Sequence, residues 1–185
     1  MIEQDIRNWS SHVLEVPNEH LNGLPACPYA KKAWMDNKVQ VIETDDVYIE
    51  ALSHVGLVLD KTYDLLICAS YRLPDPEDMT RWVTKLNKAM ASNNAYFMCF
   101  HPAYGAEDAE LDFLYETDWE SEIAEDYCMI FIQRLTDVDD KSRHLEKLGY
   151  YQAFNPDEYD SLVIQRRQLR NQYHGNETKS NASGI

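Results

Sequence analysis

Positive charge is scarce in this chain: 17 Lys+Arg stand against 32 Asp+Glu, a formal net charge of −15. A surface of that sign repels phosphates, which argues against direct binding to nucleic acid or to an anionic membrane surface. No stretch approaches the ~18 consecutive apolar residues of a membrane span. The opening residues, MIEQDIRNWSSHV, start charged and lack the apolar stretch of a secretory signal, so a cytoplasmic setting is expected. The cysteines (Cys27, Cys68, Cys99 and Cys128) include no CxxC pair, and no HxxxH exists, so a dedicated zinc site is not expected. GxGxxG, Walker A and nucleophile-elbow motifs are also missing, which leaves phosphate-cradling loops without support. No metal and no cofactor is therefore expected.

What the chain does have is a folding composition: 44% hydrophobic residues, 12 Tyr and 4 Trp. A length of 185 residues fits one domain. We place it at residues 1–174, with 175–185, GNETKSNASGI, as a polar and disordered tail.

The periodicities alternate along the chain. Ile2, Ile6, Trp9 and Val13 have helical spacing, and residues 15–26 read as a loop. A short helix opened by Pro28 follows, then a strand at 38–43, KVQVIE. DDVYIEALSHVGLVLDK predicts a helix with Ala51, Leu52, Val55 and Leu59 on its buried face. The apolar run 63–70 suits a strand covered on both faces. Asp75 and Pro76 predict an N-cap and first residue for a helix whose stripe is Met79, Trp82, Val83, Leu86 and Met90. Strands at 95–102 and 127–135 flank an irregular acidic stretch, 103–126. A helix capped by Thr136 or Asp137 follows. Asn155-Pro156 opens a last helix carrying Tyr159, Leu162, Val163, Arg166 and Tyr173. Strands alternating with helices imply an α/β fold: a small, mostly parallel or mixed four-stranded sheet with helices packed on it.

Chemistry is most plausible at Cys27. A thiol is a nucleophile only as thiolate. Pro28 suits the first helical position, which would put Cys27 at the N-cap, where unpaired N–H groups favour negative charge. Lys31 and Lys32 lie within the next turn. These features predict a lowered thiol pKa, although they also fit a structural cysteine at a loop–helix junction. His101 is the second candidate. It ends a predicted central strand, where ligands bind in α/β sheets, and could serve as general base. If it lies beside Cys27 the two form a nucleophile–base pair.

The string Cys27-Pro28-Tyr29-Ala30-Lys31-Lys32-Ala33 resembles the glutaredoxin active site, with Ala30 in place of the resolving cysteine; the resemblance implies at most a monothiol redox function. A longer resemblance covers roughly residues 7–155. It rests on Trp9, Cys27-Pro28-Tyr29-Ala30-Lys31, Phe100-His101-Pro102, an acidic stretch, and Tyr127-Cys128-Met129 leading to Arg134. This order is similar to an uncharacterised bacterial family known only as a domain of unknown function (family 1415). Phe131 stands where that family's strand has His, and its Asn-Arg-Ser-Pro segment is replaced here by EIAED. The family carries no agreed activity, so the resemblance implies a fold and a site position.

Two functions follow as expectations. One is a thiol-dependent enzyme with Cys27 and His101 as catalytic residues, and with Tyr29, Lys31 and Arg134 binding an anionic small-molecule substrate. The other is a non-catalytic acidic protein whose stretch 103–126 docks a basic protein partner.

Overall fold

Segments rich in Val, Ile, Leu, Phe and Cys become strands, because side chains of these types pack well on a pleated, half-buried surface. In a computed structural model they are β1 (Val39–Glu43), β2 (Leu65–Ser70), β3 (Ala95–Phe100) and β4 (Cys128–Arg134). The structure describes residues 1–103 and 126–182, with side chains as far as Tyr173. The acidic stretch 103–126 thus falls almost wholly outside the described residues.

Helices alternate with the strands: α1 (Ile2–Trp9), which runs on as a π-helical turn (Ser10–Leu14), α2 (Ala30–Met35), α3 (Val47–Leu59) and α4 (Pro76–Met90). After β4 come α5 (Leu135–Lys147), α6 (Pro156–Tyr159), a π-helical turn (Asp160–Ile164) and α7 (Gln165–Ala182). α7 carries helical backbone through residues 175–182, the run whose polarity reads as a tail. Among the described residues, no helix is long and apolar enough to cross a membrane.

The sheet is mixed, in the order β1-β2-β4-β3. β1 and β2 are parallel, whereas β4 is antiparallel to both β2 and β3. The crossovers through α3 and α4 leave a gap between β2 and β3, and β4 fills it from the opposite direction. α3 and α4 pack on one face of the sheet. Their side chains and those of Leu66, Cys68, Phe97, Ile130 and Ile132 form the larger core. α1 lies against the other face, over Val41, Ile67, Ala69, Met129 and Phe131. Strand alternation alone assigns these two sets.

Local signals explain most helix positions. The Asp75 side chain accepts from the N–H of Asp78, with Pro76 at the first turn, and the expected stripe on α4 is packed inward. Asn155 and Glu158 form a reciprocal capping box at α6. Two expectations are corrected. Leu52 is 48% exposed, because the buried face of α3 follows Val47, Ala51 and Val58 instead. The first turn of α5 is capped from outside its own sequence: Leu135 and Thr136 donate to the carbonyl and side-chain oxygens of Asn94, each at 2.9 Å. A further long-range clasp holds the edge strand. The buried Asn87 side chain donates to the Phe97 carbonyl at 2.9 Å and accepts from the Phe97 N–H at 2.7 Å.

Candidate functional site

On the α1 face, the helices do not close over the sheet. Val39, Leu65, Ile67, Met98, Phe100, Phe131 and Gln133 form the floor of a cavity of about 410 Å³. One wall is the end of α1 and its π-helical turn, with Ile6, Trp9, Ser10, Val13 and Leu14. The other wall runs from Cys27 through Tyr29, Ala30, Ala33 and Trp34, and Asp64 and Lys141 complete the lining. Packing voids in protein cores are few and seldom exceed a water molecule, whereas ligand pockets run from ~300 to ~1,000 Å³. This cavity belongs to the second class.

Each wall is held by polar contacts made behind it. The indole N–H of Trp34 donates to Ser10 Oγ at 3.0 Å, and Ser10 Oγ donates to Glu15 Oε1 at 2.9 Å. Glu15 also pairs with Arg7, whose guanidinium stacks 5.3 Å from the Trp34 ring centroid. π-Helical turns recur at functional sites, and this one supplies Ser10, Val13 and Leu14 to the lining. The floor is rigid and aromatic: Phe100 packs on Phe131 with centroids 4.6 Å apart, and Trp9 meets the edge of Phe100 at 6.4 Å.

Cys27 is half-buried on the cavity wall. It is not the helix cap: α2 begins at Ala30, with Tyr29 as N-cap, and Cys27 sits in the turn before it, its carbonyl accepting from the Ala30 N–H at 3.0 Å. The backbone N–H groups of Tyr29 and Ala30 point at the sulfur and favour the thiolate, as does the charge of Lys141. Burial outweighs them, and the thiol is pushed above its ordinary value. This reverses the expected direction. The apolar cavity removes more hydration from the thiolate than two amides and one ammonium return.

The other expected site residues divide. Tyr29 lines the cavity with Cys27. Lys31 is exposed on α2 and is not part of the lining. His101 is also outside the lining. Its Nε2 is 3.0 Å from the Pro74 carbonyl oxygen, just ahead of α4, and its Nδ1 accepts from the Ala103 N–H at 3.0 Å. That pattern makes Nε2 the protonated nitrogen and ties the ring to backbone. Arg134 is buried and points among the carbonyls at the end of α3. It donates to Val58 O at 2.7 Å and Tyr63 O at 3.0 Å, and pairs with Asp64 and Asp137, each at 2.6 Å. The structure therefore brings Cys27 and Tyr29 together and leaves Lys31, His101 and Arg134 apart from them.

Lys141 was not a candidate from sequence. Its ammonium lies 5.1 Å from the centroid of the Tyr29 ring, a cation–π contact at the edge of the cavity. No local motif marks it, since the contact joins α5 to a turn more than a hundred residues earlier. Phe100 enters the sequence reading only within Phe100-His101-Pro102, and Trp34 carries no motif at all. The period-2 alternation that separates Met98 and Phe100 from Phe97 would have marked them as floor residues.

Among the described residues, no group of three or more His, Cys, Asp and Glu side chains could hold a metal ion. No family model matches the chain, and no similar protein or solved structure is found.

Proposed function

We propose that the protein binds a small, largely apolar molecule in the cavity lined by Cys27, Tyr29 and Trp34. The carrying observation is the cavity itself: about 410 Å³ of space over a sheet face that Met98, Phe100 and Phe131 leave apolar. A sheet face left open to that extent forfeits the dispersion contacts that a packed helix would supply. A ligand of suitable shape restores them. Cys27 then contacts the ligand as a neutral thiol.

The test uses N-phenyl-1-naphthylamine, a neutral probe that fluoresces in apolar surroundings. Expected are saturable binding at one site per chain and loss of that site in Ala33→Trp, whose indole fills the cavity. Circular dichroism checks that the variant is folded. Absence of saturable binding to the wild type, or equal binding to a folded Ala33→Trp, overturns the reading.

A second reading keeps catalysis: a thiol-dependent reaction at Cys27 on the bound molecule. The observation that favours it is the pair of N–H groups from Tyr29 and Ala30 directed at the sulfur. It requires the bound substrate, or a proton acceptor other than His101, to draw off the thiol proton.

A further inference from the structure

The cavity carries a charge that no carboxylate among the described residues pairs with. Acidic residues outnumber basic ones 32 to 17, and three arginines on or beside α5 are matched. Arg134 is held by Asp64 and Asp137, Arg143 by Asp139, and Arg170 by Asp139 and Asp140. Lys141 lies on the same helix, one turn after Asp137, yet Asp137 is committed to Arg134. Among the described residues Lys141 has neither an ion pair nor a hydrogen bond; its ammonium rests over the Tyr29 ring and lines the cavity.

Among the described residues Lys141 is also the only cationic side chain on the lining. Among the described residues the one carboxylate there is Asp64, and its pairing with Arg134 at 2.6 Å, a guanidinium it shares with Asp137, reduces its repulsion of an incoming anion without cancelling it. A single ammonium beside apolar walls is worth more to an anionic group than one in bulk water, because the local dielectric is lower.

From these relationships we infer that the natural ligand carries one acidic group, a carboxylate or similar, that pairs with Lys141 while its apolar body lies on Phe100, Phe131 and Met98. This rests on the cavity reading above and adds the chemical class of the ligand. One cation suits one acidic group. A more highly charged ligand would meet the −15 field of the protein with nothing further to answer it.

A matched pair of probes separates the two claims. 8-Anilinonaphthalene-1-sulfonate has the skeleton of N-phenyl-1-naphthylamine plus one anionic group. Both are titrated into wild type, Lys141→Met, Lys141→Gln and Lys141→Arg, with Ala33→Trp defining the cavity-specific signal. The expected result is that Met and Gln weaken the sulfonate about tenfold, Arg restores most of the affinity, and the neutral probe changes little. If Met and Gln weaken both probes equally, Lys141 acts through packing and the inference falls while the cavity reading stands. The same holds if the cavity takes the neutral probe and excludes the sulfonate. If neither probe shows a signal that Ala33→Trp removes, both fall together.

Discussion

The backbone N–H of Cys27 donates to the carbonyl of Leu14 at 2.8 Å, so the two walls of the cavity are bonded to each other where the π-helical turn ends. The same loop is pinned one residue earlier, where Tyr150 Oη donates to the Ala26 carbonyl at 2.5 Å. Cys27 therefore sits in a framed position with its sulfur beside the cavity, and its reactivity reports on that environment.

Alkylation of Cys27 by iodoacetamide should be slow at neutral pH. Burial raises the thiol, so the thiolate fraction at pH 7 falls below that of a model thiol of pKa ~8.5. Mass spectrometry of the peptide containing Cys27 should show a rate that keeps rising above pH 9. A rate at pH 6–7 faster than the model thiol would contradict this and move the balance to the catalytic reading.

Replacing Arg134 by Met should destabilise the fold. The change removes both ion pairs and leaves Val58 O and Tyr63 O without that donor. Arg134 is buried while Asp64 and Asp137 remain partly exposed, so the loss lies below that of a fully buried pair, and urea unfolding should register about 1–3 kcal/mol. Affinity of the folded variant for the neutral probe N-phenyl-1-naphthylamine should be nearly unchanged. A large loss of affinity at unchanged stability would instead assign Arg134 to ligand binding.

Alkaline pH should weaken the fold through Cys68. This side chain is fully buried on β2, and burial pushes its thiol from 9.0 up to about 12. Because the folded state holds the proton more tightly, its contribution is complete below pH 9 and fades as pH rises from there toward 12. Each unit in that window costs up to about 1.4 kcal/mol. Cys68→Val should flatten the decline in unfolding free energy between pH 9 and 10.5. An identical slope in the two proteins would refute the assignment.

The sequence by itself determined which segments are strands and most of those that are helices, residues 175–182 excepted, because those choices depend on local periodicity and capping. LLICAS suits a strand covered on both faces, and Asp75-Pro76 suits a helix start, and both are found so. It also determined that Cys27 and Tyr29 stand together, since they share one short turn.

Tertiary structure decided the rest. β4 enters antiparallel between β2 and β3, a pairing that no local pattern encodes. The Cys27 thiol follows the burial created by α1 and the sheet and not the positive charge beside it in the chain. His101 bonds to the backbone ahead of α4, and Arg134 ties β4 to the end of α3, so neither reaches the cavity. Lys141 comes to Tyr29 across the fold. Electrostatic environment and proximity depend on distances through space, and a sequence orders residues only along the chain.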